Sequence, residues 1–203
     1  MTNLPENKTA PECVIVGIDF SYTSTGIFIG NTRSGKIQHT RITSEPDDNR
    51  PLDKIQRAAE IAKECVILIR NFLEGYGVTV DNENIHVYIE GLAFGNAFGN
   101  ATRDLAGLQY MIINYLIEED FYPENFKLVA PTALKKFATG NGKADKKMML
   151  ESVSILQPTL KETIEKCYKV SQGRYDVVDA YWLFQYGQIE LFGLKGIDLS
   201  FSK

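Results

Sequence analysis

Three short runs rich in Val and Ile open the chain, joined by turns too brief for anything but antiparallel neighbours. CVIVGIDF (13–20) reads as a buried strand that ends at an acid. The polar turn SYTSTG separates it from TGIFIG (25–30), and NTRSG separates that run from KIQHTRI (36–42). After the loop SEPDDNRP the period changes. In DKIQRAAEIAKECVILIRNFLEGYG the apolar residues Ala58, Ala62, Ile69 and Phe72 recur at helical spacing, and Gly75 or Gly77 marks the end. IHVYIEG (85–91) is a further buried strand, again ending at an acid, Glu90. A Gly- and Asn-rich stretch (91–104) predicts a loop, LAGLQYMIINYLIEE (105–119) a helix, and FKLVA (126–130) a short strand. PTALKKFA predicts a helical turn, TGNG a break, and ADKKMMLESVSIL (144–156) a helix. Residues 159–173 fit a short helix plus loop, and DVVDAYWLFQYG (176–187) a final helix. Strands four and five need helical crossovers and should run parallel to strand one. The expected class is therefore α/β, a mixed five-stranded sheet with helices on both faces.

A chain of 203 residues suits one domain with a sizeable core. We expect a flexible N-terminal arm (1–12), a domain over 13–187 and a C-terminal tail (188–203). MTNLPENKTAPE is polar and lacks the apolar core of a signal peptide. No apolar run approaches twenty residues, so no membrane span is expected. Cys13, Cys65 and Cys167 are widely spaced and form no CxxC pair, which argues against a disulfide framework or a zinc site. Cys13 and Cys65 fall in apolar patterns and should be core.

The acids carry the chemistry. Asp19 and Glu90 each end a buried strand, and parallel pairing of those strands would set them side by side at the carboxyl edge of the sheet, where α/β sites form. Asp176 and Asp179 stand one helical turn apart and share a face. Each has an ordinary reading alone. Asp19 could cap the SYTSTG turn, and Asp176 could be a first-turn helix acid. Asp179 is harder to dismiss, because it lies among Val177, Val178, Ala180, Tyr181 and Trp182, where a lone acid costs desolvation. Four gathered carboxylates resist ionisation unless cations compensate them. Mg²⁺ prefers such hard oxygen ligands, and two ions about 3.5–4 Å apart suit phosphodiester hydrolysis. The candidate metal ligands are Asp19, Glu90, Asp176 and Asp179.

Net charge is −4, which on its own does not point to nucleic acid. The stretch LKKFATGNGKADKK nevertheless concentrates Lys135, Lys136, Lys143, Lys146 and Lys147 against Asp145 alone. A solvated charge run is the plain reading. A phosphate-binding patch is the functional one, because small residues let backbone amides approach a phosphate while lysine supplies a point charge. TGNGKADK lacks the spacing of a nucleotide-binding phosphate loop. Phe94 and Phe98, just after Glu90, could stack on or wedge between bases, or pack in the core or a dimer contact. Tyr181, Trp182, Phe184 and Tyr186 read as helix packing.

Taken together, GIDFSYTSTG, HVYIEG, APTALKKFATGNGKADK and YDVVDAYWL resemble, in order and spacing, the motifs of the RuvC family of Holliday junction resolvases within the RNase H-like superfamily. The resemblance covers roughly residues 13–187. It implies an RNase H-like sheet and a homodimer that binds four-way DNA junctions. It also implies symmetric nicking with two Mg²⁺ ions per site, Mn²⁺ substituting, to leave 5′ phosphate and 3′ hydroxyl ends. By position, Lys146 matches the family lysine that helps stabilise charge, Lys135 matches a substrate contact, and Phe94 is nearest to the aromatic that engages bases at the junction centre. An intracellular setting is expected: cytoplasm or nucleoid for a bacterial or phage protein, with an organelle also open. Three rivals remain: a broader branched-DNA or flap nuclease with the same metal site, a junction-binding protein without catalysis, and a sugar- or acetate-kinase-like ATP binder.

Overall fold

The computed structural model describes residues 12–75, 77, 82–92 and 99–196. Its strands are β1 (Val14–Asp19), β2 (Ser24–Asn31), β3 (Ile37–Thr43), β4 (Ile85–Glu90) and β5 (Phe126–Val129). Its α-helices are α1 (Asp53–Gly75), α2 (Asn100–Glu118), α3 (Pro131–Thr139), α4 (Lys146–Leu156), α5 (Pro158–Cys167) and α6 (Arg174–Gly196). One sheet forms in the order β3-β2-β1-β4-β5. β1 pairs antiparallel with β2 and β2 with β3, while β1–β4 and β4–β5 are parallel. This is the mixed five-stranded sheet that the short turns and long crossovers required.

Alternation along β1 divides the core in two. Val14, Val16 and Ile18 face α1 and α2, packing with Ala62, Ile69, Leu108 and Ile112. Ile15 faces the other way, into a cluster with Phe28, Tyr88, Tyr181 and Phe184. Helices thus cover both faces. Cys13 and Cys65 are buried as expected, and Cys167 is exposed. Tyr181 and Trp182 are core residues, with the Trp182 indole N–H donating to the Met149 carbonyl at 3.0 Å. Among the described residues, no helix is long and apolar enough to cross a membrane.

Two glycines decide how closely α6 approaches the sheet. A Cβ on Gly17 would collide with the Ala180 carbonyl and come within 2.8 Å of the Phe184 amide. A Cβ on Gly26 would collide with the Asp176 carbonyl. The bare backbone of β1 and β2 is therefore a seat for α6, and it fixes the height at which Asp176 and Asp179 sit against the strand ends.

Three elements differ from the sequence reading. α2 begins at Asn100, inside the stretch read as loop, with Gly99 as an extended N-cap that supplies no side chain. PTALKKFA, read as a helical turn, is a nine-residue helix, α3, opened by Pro131, whereas 159–173 holds the short helix and loop expected. α6 continues past 187 to Gly196, with a break at Gly193, where φ is 65°.

Candidate active site

Asp19 and Glu90 are the last residues of β1 and β4, and the register Ile18↔Ile89 sets them next to each other. Both point to the α6 face by the alternation that buries Val16 and Ile18 on the opposite one. Their carboxyls neighbour each other closely enough for each to shift the other's protonation. The backbone beneath Glu90 is fixed from two sides. Gln109 of α2 donates to the Glu90 carbonyl at 3.2 Å, and the Gly91 amide donates to the Val129 carbonyl at 2.7 Å.

The turn after Asp19 closes without that acid. The Ser21 hydroxyl donates to the Ser24 carbonyl at 2.8 Å and accepts from the Ser24 amide at 3.0 Å. The Thr25 hydroxyl donates to the Ser21 carbonyl at 2.9 Å. These hydroxyls cap the turn in place of Asp19, whose carboxyl instead neighbours Glu90. Buried Arg57 of α1 fastens the same turn, donating to the Tyr22 carbonyl at 2.9 Å and the Ser44 hydroxyl at 2.9 Å. An arginine near the start of an otherwise apolar stripe of α1 is the sequence signal for this anchor, and the sequence analysis did not single it out.

Asp176 and Asp179 complete the group from the first turns of α6. A single cleft of about 420 Å³ is lined by Asp19, Glu90, Asp176 and Asp179 together with Lys135 and Lys146. All four predicted acids therefore meet, and two of the five predicted lysines meet them. Lys136, Lys143 and Lys147 are exposed nearby on α3, the following loop and α4. Phe94 and Phe98 lie outside the described residues. Ser21, Thr23, Pro131 and Met149 also line the cleft.

Local structure explains the lysines. Pro131 starts α3, and Gly140, at φ 77°, ends it in the left-handed conformation. Asp145 caps α4, accepting from the Met148 amide at 2.7 Å. Lys146 and Lys147 then occupy the first turn, which the helix dipole makes unfavourable for cations. The carboxylates offset that cost: Lys146 Nζ donates to Asp176 Oδ1 at 3.5 Å. Burial works to lower the Lys146 pKa, but Asp176, Asp179 and Asp19 outweigh it and raise the value.

The acids are held far from their ordinary protonation. Burial, then the charges of Asp179, Glu90 and Asp176, keeps Asp19 well above the usual carboxylate range. Burial also raises Glu90, while the adjoining Asp19 carboxyl and the charges of Lys135 and Lys146 pull the other way. Burial first and Glu90 next push Asp179 up to about 7, against the opposing pull of Lys146. Asp179 Oδ1 is buried and has no hydrogen-bond partner.

Four acids against two lysines leave the cleft short of positive charge. A hard divalent cation fits that deficit, the all-oxygen donor set and the unpartnered Asp179 oxygen. Among the described residues, no three acids close into a ready-made ion cage. They surround a cleft rather than grip one point.

Solved structures share this arrangement of elements. Thermus thermophilus RuvC aligns with a TM-score of 0.58 at 15% identity, over 87% of this chain and 96% of that one. The chain has the RNase H-like fold of RuvC. T. thermophilus RuvC in complex with Holliday junction substrate gives a TM-score of 0.60 at 15% identity, covering 88% of this chain and 96% of that one. The yeast mitochondrial Holliday junction resolvase Ydc2 gives 0.51 at 16% identity, covering 95% and 85%. No protein-family model matches the chain, and no curated protein matches it in sequence.

Proposed function

We propose that the chain is a divalent-metal-dependent endonuclease that resolves four-way DNA junctions by paired symmetric nicks, leaving 5′ phosphate and 3′ hydroxyl ends. The observation that carries this reading is the convergence of Asp19, Glu90, Asp176 and Asp179 with Lys135 and Lys146 in one cleft on a RuvC-like fold. The four acids would hold Mg²⁺ or Mn²⁺. When bound, such ions supply a water nucleophile active at neutral pH and stabilisation of the leaving oxygen.

The chain's own residues do the rest. Burial of Asp179 within α6 against the sheet limits water around that carboxylate and strengthens its field. Lys146, tied to Asp176, places positive charge beside the phosphate being cut, and Lys135 offers a second contact from α3. Lys136, Lys143 and Lys147 extend a basic surface toward adjoining phosphates, which suits a protein that must hold DNA despite a net charge of −4. Phe94 is kept as a base-contacting candidate at the junction centre.

Paired nicks need two sites, hence a homodimer. α2 supports one: Tyr110 is 68% exposed and Ile117 41%, and with exposed Gly107 they form a stripe at helical spacing. A small residue beside a large aromatic on an exposed helix suits close helix-to-helix approach.

The test is a cleavage panel of synthetic four-way junction, flap and linear duplex with Mg²⁺, Mn²⁺ or Ca²⁺, with product ends mapped. Symmetric nicks confined to the junction, bearing 5′ phosphates, are the expected result. Equal cutting of flaps would favour the broader nuclease, and tight junction binding without metal-dependent cleavage would favour the inactive binder.

A further inference from the structure

The pairing registers place an arginine in line with the acids. Asp19 pairs with Gly26 across β1 and β2, and Gly26 pairs with Arg41 across β2 and β3. With Glu90 beside Asp19, a single row runs Glu90, Asp19, Gly26, Arg41. All four face α6. His39, two residues before Arg41, stacks on Phe28 at 5.9 Å, and Phe28 packs against Tyr181 and Phe184 of α6. Glycine occupies the position between acid and arginine, and the α6 backbone at Asp176 lies over it, so any connection between the two passes around the start of α6 rather than over Gly26. Two strand spacings separate Asp19 from Arg41, about 10 Å.

A second cleft, of about 310 Å³, opens on Arg41 at the end of this row and runs beside the start of α6. It shares Thr23, Lys146 and Asp176 with the acid cleft, and Arg41, Thr43 and Ser24 line its further part. The Ser24 hydroxyl oxygen is buried there without a hydrogen-bond partner. Glu45 also lines the cleft and is exposed. Arg41 forms no ion pair among the described residues. A half-buried guanidinium with no acid partner, beside hydroxyls and continuous with a phosphodiester site, has the donor geometry for a phosphate group.

We infer that Arg41 seats a phosphate of the substrate strand adjoining the one being cut, so that the strand runs across the carboxyl end of the sheet from Glu90 toward β3. This rests on the nuclease reading above and adds its substrate path. Arg41 is then a substrate-binding residue whose loss weakens DNA affinity for any sequence, with the chemical step intact.

The experiment compares wild type, Arg41→Gln and Arg41→Lys for binding and cleavage of a synthetic four-way junction across a salt series, with circular dichroism to establish folding. Arg41→Gln should bind about tenfold more weakly, raise KM by a similar factor and leave kcat unchanged. Its slope of log affinity against log salt should be shallower by about one. Arg41→Lys keeps the charge and should restore the slope. Unchanged affinity and slope in Arg41→Gln, with wild type binding and cutting normally, overturns this inference alone. A fall in kcat at constant KM also overturns it. Failure of wild type to bind or cut the junction overturns the nuclease reading as well.

Discussion

Replacing Asp179 with Asn should make the metal-free protein more stable at pH 8, although it alters the centre of the cleft. A carboxyl with an ordinary value of 3.8, held at about 7 in the fold, is ionised at pH 8 at a cost of about 4 kcal/mol relative to the unfolded chain. The sign follows from proton uptake. The folded value lies above the unfolded one, so the folded state binds more protons between those values. Stability therefore rises as pH falls through about 7 and levels off near the unfolded value. Asp19 and Glu90, raised mainly by burial, slope the same way. His39 and His86, lowered by burial, oppose this, because the unfolded chain takes up their protons first as pH falls. Lys146 is raised, so its contribution is present throughout this range. Comparing variant with wild type cancels the histidines.

Differential scanning calorimetry in EDTA at pH 8 and pH 5 is the assay. For a chain of this length each kcal/mol moves Tm by about 2–4 °C. Asp179→Asn should exceed wild type by about 10 °C at pH 8, and the gap should shrink to about 4 °C at pH 5, where folded Asp179 is protonated but the unfolded carboxyl is still ionised, closing only as pH nears the unfolded value. Added Mg²⁺ should raise wild type at pH 8 more than the variant. A variant less stable than wild type at pH 8, or a gap independent of pH, would refute the claim that an uncompensated buried carboxylate sits there.

Gly17→Ala would drive a methyl into the Ala180 carbonyl and lift α6 off β1. The expected loss is about 3 kcal/mol or more by chemical denaturation, with Mg²⁺-dependent nicking falling further than stability alone explains. Asp145→Ala removes the α4 cap and should cost about 1 kcal/mol, with nicking reduced because Lys146 begins that helix. Tyr110→Glu places charge on the exposed α2 stripe and should shift the protein to a monomer by analytical ultracentrifugation, with single nicks replacing paired ones.

The sheet was legible because its strands are short Val- and Ile-rich runs bounded by polar turns, and two of them end at acids. Asp179 was legible because an acid amid Val177, Val178, Tyr181 and Trp182 has no ordinary reason to be there. Other features depend on partners far along the chain. Gly17 and Gly26 look like strand glycines until α6 is laid on them. Arg41 joins the row of Asp19 only through two pairing registers, and a slip of one residue would turn it to the other face. The lysine segment read as one patch, yet only Lys135 and Lys146 line the acid cleft, because α3 and α4 present different faces. The start of α2 was hidden because Gly99 and Asn100 are turn-forming residues, and tertiary packing of Leu108, Ile112 and Leu116 overrides that local preference.

The proposed nuclease requires these widely spaced carboxylates to form one cation-holding centre that cuts DNA. The most direct measurement is the single-turnover rate of Mg²⁺-dependent junction nicking by Asp19→Asn at DNA-saturating protein concentration. The account predicts loss of at least about a thousandfold in rate, with junction affinity within about threefold of wild type because the lysine surface is untouched. Undiminished nicking by Asp19→Asn would contradict it.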